Sequence, residues 1–305
     1  MQKRKIGHSN LYASAIGLGC MSLDPNHIES EYIIHKAIDS GINYFDTADL
    51  YQFGKNEQLL GKASKGKRND MIIATKGGNE WNETKDSWKW NPTKRYIKEA
   101  VKNSVARLQT DYIDLYQLHG GTTSDPIDET IEAFEELISE GWIRYYGISS
   151  IRPNVIKEYV QKSNIVSVMM QYSLLDVRPE EEVFDLLAEN NINVIARGPV
   201  AKGLLTDNYL NKFEGIEGYL NYSKTELENV VTELQQWAHS YGYTLHELAL
   251  HYCLGNKAVS SVIPGCSTMK QLTANVSCIK QRSLTSIELN ELRKYIKTNY
   301  YTAHR

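Results

Sequence analysis

NYFDTADLYQFGKNEQLLGKA, residues 43–63, runs from an apolar strand into a carboxylate, Asp46, then to a phenol, Tyr51, and on through Gly54 into a polar helix start. An apolar segment bounded by such signals reads as a buried strand followed by a helix. The helix EQLLGKA carries its apolar residues on one face. The unit poses a chemical question: what holds a carboxylate and a phenol at the exit of a core strand?

The same unit recurs in both directions along the chain. A small hairpin near KRKIGHSNLYAS is followed by a strand over 14–21 and a helix over 28–41 that closes on Gly41. Further strands are predicted at MIIATK (71–76), YIDLYQLH (112–119), IRYYGIS (143–149), VSVMMQY (166–172), NVIARG (193–198) and VSSVIPG (259–265). Amphipathic helices separate them, over 92–109, 125–141, 153–163 and 179–191. Two more lie near 224–241 and 244–254, and MKQLTANVSCIKQ reads as the final helix. Eight strand–helix units without a break in composition predict an α/β fold, a single (β/α)8 TIM barrel domain over 1–305. A short N-terminal β-hairpin and extra helices near the C-terminus complete it. The open dinucleotide-binding alternative fails on its own signature, since GLGCMS (17–22) lacks the third glycine and Pro25 delays the helix.

Composition narrows the function. The 305 residues are 41% hydrophobic and 23% charged with a net charge of −3, which supplies a large core and no basic face for nucleic acid. Cys20, Cys253, Cys266 and Cys278 are scattered, without a C-x-x-C pair. That predicts a reduced, cytoplasmic protein and neither a disulfide framework nor a metal site. No apolar run reaches the roughly 20 residues of a membrane span, so no membrane partner is expected.

Barrel chemistry sits at the C-terminal ends of the strands. Those ends carry Asp46, Lys76, His119, Ser149 with Ser150, Gln171, Arg197 and Gly265. A phenol with its usual pKa of about 10 is a weak acid at neutral pH; a neighbouring ammonium lowers that value. Asp46 would hold Lys76, Lys76 would tune Tyr51, and His119 would orient a carbonyl oxygen. The set reads as a proton donor to an oxygen whose carbon accepts something else.

NYFDTADLYQFGKNEQLLGKA, ATK, DLYQLH, RYYGISS and VIPGCSTMKQLTAN together resemble the successive signatures of the aldo-keto reductase superfamily, over nearly the whole chain. The resemblance implies an NADPH-dependent reductase of aldehydes or ketones, with Asp46, Tyr51, Lys76 and His119 as the catalytic tetrad. It also implies that Ser149, Ser150 and Gln171 bind the nicotinamide carboxamide, and that Arg197 stands where many members stack a tyrosine. Gly265, Ser267, Thr268, Gln271 and Asn275 match the adenosine-phosphate loop. Many members carry arginine where this chain has Gln271 and glutamate where it has Ala274; Lys270 is the adjacent substitute, and NADPH stays favoured over NADH. A second reading is an NADPH-binding regulatory or redox-sensing subunit with little turnover. The aromatic residues of loops 77–93 and 204–223, Trp81, Trp88, Trp90, Tyr209, Phe213, Tyr219 and Tyr222, either form an apolar substrate mouth or staple the loops to the barrel.

Overall fold

In the computed structural model, which describes all 305 residues, eight parallel strands pair in chain order. They are β1 (Leu18–Gly19), β2 (Tyr44–Asp46), β3 (Ile72–Gly77), β4 (Ile113–Leu118), β5 (Ile143–Ser149), β6 (Ser167–Gln171), β7 (Asn193–Arg197) and β8 (Val259–Ile263). Bridges Ile16↔Val262 and Gly19↔Gly265 bring β8 back to β1 and close the barrel. Strands β3 and β4 are buried at every position, as expected of parallel strands covered by helices outside and packed side chains inside.

Alternation along each strand divides the core in two. Inward-facing Tyr44, Ile72, Ala74, Leu115, Met169, Ile195 and Ile263 form one apolar cluster with Ile6, Leu11 and Ala13 of the N-terminal hairpin. That hairpin, Lys3–Lys5 paired with Tyr12–Ser14, plugs the bottom of the barrel. Its Gly7 has φ +52° and lies so close that a Cβ would meet the Val166 carbonyl oxygen at 2.3 Å, so only glycine fits. Outward-facing residues pack against the helices in a second, larger cluster. Fully burying one of its side chains, such as Phe45, contributes about 2–3 kcal/mol.

Helices α1 (Ile28–Asp39), α2 (Lys55–Ala63), α3 (Lys94–Leu108), α4 (Ile127–Ser139), α5 (Pro153–Lys162) and α6 (Val183–Glu189) fill the crossovers. α3 shows the logic of the set: Ile97, Ala100, Val101, Ser104, Val105 and Leu108 are buried on one stripe. The connection from β7 to β8 holds α7 (Lys224–Ser240) and α8 (Leu245–Gly255), and α9 (Met269–Ser277) follows β8. One helix departs from the sequence reading, because the chain ends on α10 (Ser286–Leu292) and not on the 269–281 segment. A capping box of Thr285 and Glu288 starts it. Two short hairpins were also not expected. One pairs Asn79–Trp81 with Trp88–Trp90, the other Gly218–Tyr219 with Tyr222–Ser223. No helix is long and apolar enough to cross a membrane.

Candidate active site

The inward face that is apolar at the bottom becomes polar toward the strand C-termini. Two residues past Tyr44 comes Asp46, past Ala74 comes Lys76, past Met169 comes Gln171, and past Ile195 comes Arg197. On β4 Leu115 gives way to Gln117 and then, just past the strand end, to His119. The same period that builds the core therefore delivers the polar groups to one mouth.

Lys76 is 1% exposed and uses all three of its N–H bonds. It donates to Asp46 Oδ2 at 2.7 Å, to the Thr47 carbonyl at 2.8 Å and to the Tyr51 oxygen at 3.4 Å. Because the phenol oxygen accepts from Lys76, the Tyr51 proton is left to point elsewhere. Burial by itself lowers the Lys76 pKa, but Asp46 and Tyr51 outweigh it and the net direction is up. Lys76 thus stays charged, with Asp46 as its counter-ion.

Tyr51 departs from the expected direction. Burial raises its pKa, and this exceeds the opposing pull of Lys76. The ammonium limits the rise and does not reverse it, so Tyr51 is a protonated donor across the neutral range. His119 meets the edge of Tyr51 with ring centroids 6.0 Å apart. Burial, then Lys76 and Arg197, push the His119 pKa down to about 3. The imidazole is neutral and donates from one nitrogen only.

The segment that presents Tyr51 is strained and clamped. Gln52, Phe53 and Gly54 have successive φ of +45°, +52° and +83°, a left-handed turn costing about 1–2 kcal/mol at each non-glycine position. Arg107 of α3 lies beneath it, where a Cβ on Gly54 would meet Arg107 Cδ at 2.5 Å. The Arg107 Nε donates to Glu57 at 2.6 Å, and Glu57 accepts from Thr75 Oγ1 at 2.6 Å. Trp81 completes the clamp, its ring 5.2 Å from the guanidinium and 5.9 Å from Phe53. Asp49, buried beside Glu57, has its pKa pushed well above the usual range by burial and by that like charge.

Across the mouth, the Gln171 side chain donates to Tyr219 Oη at 2.9 Å and accepts from Arg197 at 3.2 Å. Ser149, at the end of β5, pairs in register with Met169. Ser150 is buried, and its Oγ accepts from the Arg152 amide in its own loop. Gly265, Ser267, Thr268 and Gln271 are exposed around the start of α9. There Thr268 caps the helix, and Gln271 Oε1 accepts from both the amide and the hydroxyl of Ser267. Asn275, by contrast, is 2% exposed. The strand ends thus bring together the tetrad and the Gln171–Arg197 pair, while Asn275 and Ser150 face protein.

The stapling role accounts for most of the aromatic residues. Tyr209, Phe213, Tyr219 and Tyr222 are all buried. Tyr209 donates to Gln235, and Tyr222 accepts from the Lys297 amide. Trp90 rests on Gly78 and Gly120 and donates to Asp125. A cavity of about 690 Å³ opens instead beside the Tyr51 turn, with Asp24, Asn26, Gln52, Phe53, Lys55 and Lys85 among its lining. Sequence reasoning missed Arg107 and Glu57, which clamp the Tyr51 turn.

A closed barrel whose strand ends gather a lysine, a carboxylate, a tyrosine and a histidine is the architecture of a barrel oxidoreductase. The model of the aldo/keto reductase family matches residues 15–297, and the chain belongs to that family. Its likeness to known members is close. It is 55% identical over 308 residues to uncharacterized oxidoreductase YqkF of Bacillus subtilis, covering 100% of both chains. Aldo-keto reductase yakc of Schizosaccharomyces pombe, whose name specifies NADP(+), is 30% identical over 95% of this chain and 90% of its own. The solved holo form of aldo-keto reductase AKR11C1 from Bacillus halodurans is 54% identical, with a TM-score of 0.94 over 100% of this chain and 99% of that one.

Proposed function

We propose that this chain reduces aldehydes or ketones to alcohols with NADPH, Tyr51 supplying the proton. The observation that carries the reading is the threefold use of the Lys76 ammonium. Its third N–H goes to the Tyr51 oxygen, which orients the phenol so that its own O–H points to a carbonyl in the mouth. As negative charge builds on the carbonyl oxygen, Tyr51 delivers its proton, and Lys76 stabilises the phenolate left behind. Neutral His119 donates a hydrogen bond to the same oxygen and aligns it.

Bound NADPH would supply the hydride. The residues fit such a cofactor in chemical type. Gln171 offers an amide to a carboxamide and Arg197 a guanidinium plane able to stack. Ser149 stands beside them. The exposed Gly265–Ser267–Thr268 segment and Lys270 lie at the start of α9, where backbone N–H groups and positive charge suit phosphate. Gln271 cannot reproduce the bidentate grip of an arginine, and Lys270 serves in its place. A relative named for NADP(+) supports the preference for NADPH over NADH.

The test is absorbance of the reduced nicotinamide, with NADPH and then NADH, against a panel of reactive aldehydes. Oxidation of NADPH that is lost in Tyr51→Phe, with cofactor affinity retained, is the expected result. Tight NADPH binding without turnover of any aldehyde would replace this reading with a cofactor-sensing subunit.

A further inference from the structure

Arg197 ends β7 on the inward face, half-buried at the mouth. Its guanidinium donates to the Gln171 side-chain oxygen at 3.2 Å and forms no ion pair. Gln171 is neutral, and its NH2 group donates to Tyr219 Oη at 2.9 Å. Tyr219 is neutral as well, since burial and then the nearby Asp176 push its pKa up to about 12. Groups that carry no charge therefore hold the guanidinium in place.

The carboxylates of this face are already taken. Asp46 binds the Lys76 ammonium at 2.7 Å. Asp176, with no exposed surface, accepts from Arg178 Nε at 2.7 Å and from Arg178 Nη2 at 2.8 Å. Each pair cancels, His119 is neutral and Tyr51 keeps its proton. What remains at the mouth is one fixed positive charge without a counter-ion, on a side chain that cannot lose its proton. Such a charge is costly to desolvate, and a neutral amide could make the same bond to Gln171 without that cost.

Charge is also what separates the two forms of the cofactor proposed for this mouth. The nicotinamide ring of NADP+ is a cation and that of NADPH is neutral, whereas the phosphates are common to both. A fixed cation on the nicotinamide side opposes the first form and tolerates the second, and the opposition is stronger here than in bulk water. We propose that Arg197 sets the redox-state selectivity of the cofactor site, favouring NADPH and expelling NADP+ once the hydride has gone. The inference rests on the reading of Gln171 and Arg197 as the nicotinamide side of the mouth.

Equilibrium binding tests it without turnover. The Kd for NADPH, by fluorescence, and the Kd for NADP+, by calorimetry, are compared in the parent, Arg197→Met and Arg197→Lys. The ratio of the NADP+ value to the NADPH value should be at least tenfold larger in the parent than in Arg197→Met. Arg197→Lys keeps the charge without the plane and should keep most of the ratio. Arg197→Gln is the neutral alternative should Arg197→Met aggregate. If both Kd values rise by one factor in the neutral variant, the guanidinium holds a group common to both forms, such as a phosphate, and the proposal falls. Two unchanged values overturn it equally. A parent that shows the ratio but oxidises NADPH with no aldehyde sinks the reductase reading and leaves this one standing. A parent that reduces aldehydes but shares its ratio with Arg197→Met sinks this one alone.

Discussion

Tyr51 is buried enough that its pKa stays above the ordinary phenol value in spite of Lys76, and this fixes the pH behaviour. In the proposed reaction reduction needs the protonated phenol, so kcat for reduction should be flat from about pH 5 to 9 and fall only in strong alkali. Oxidation of an alcohol needs the phenolate and should rise with pH over the same interval. His119 does not interfere, because its pKa lies near 3 and it is neutral throughout. A steady-state pH profile checks both limbs; a midpoint near neutrality in reduction would assign the proton to another group. Lys76→Met should lower kcat by about 10²–10⁴-fold. It should also destabilise the fold by about 3–5 kcal/mol, since it strands the Asp46 carboxylate inside the barrel. Adding Asp46→Asn should restore most of the stability and none of the activity, as read by calorimetry and turnover together. Asp46, Lys76 and His119 were legible from strand ends alone. The direction of the Tyr51 shift was not, because it is set by how deeply the loop is covered, and no local pattern encodes that.

At the scale of the element, the turn after Tyr51 is the feature with the most consequence. Three successive left-handed residues hold together because Arg107, Glu57 and Trp81 clamp them from α3, α2 and the first mouth hairpin. Gly54 is where the clamp closes, with φ +83° and no room for a Cβ beside Arg107. Gly54→Ala should destabilise by about 1–3 kcal/mol. It should also lower kcat more than it raises KM, because it displaces Tyr51 from Lys76 while the residues proposed to hold the cofactor stay in place. Chemical denaturation and a kcat–KM split measure the two effects, and equal kcat in the variant would show that the turn does not set the phenol. The clamp was invisible in the sequence for a physical reason: its partners lie far apart along the chain, on faces that ordinary amphipathic patterning assigns to core. Helix α10 was different. Its Thr285–Glu288 capping box stood in the sequence as a start signal, and the shortness of the apolar stripe behind it hid the helix.

For the whole molecule, the barrel was legible because parallel strands repeat one apolar signal eight times and the open-sheet alternative, which shares that alternation, lacks its glycine signature at 17–22. The region beyond β7 was not, since its contacts depend on where the chain end returns. The C-terminal segment crosses the mouth side and ties the long loop down. Asn299, 5% exposed, accepts from the Val177 amide at 2.9 Å and donates to the Leu175 carbonyl at 3.0 Å. The Lys297 amide donates to Tyr222 at 2.6 Å, in the hairpin whose Tyr219 accepts from Gln171. One buried side chain therefore joins the tail to the loop after β6, and two steps further lies a residue proposed to hold the cofactor. Asn299→Ala leaves a buried amide and a buried carbonyl without partners and should destabilise by about 1–3 kcal/mol for each group left unpaired. A protein of this size then loses about 3–9 °C in melting temperature. If the tail also steadies Gln171, affinity for NADPH should fall severalfold in the same variant while the rate of a saturated enzyme is preserved. A variant that melts early but binds NADPH as the parent does would confine the tail to a structural role, and the Gln171–Tyr219 contact would then be independent of it.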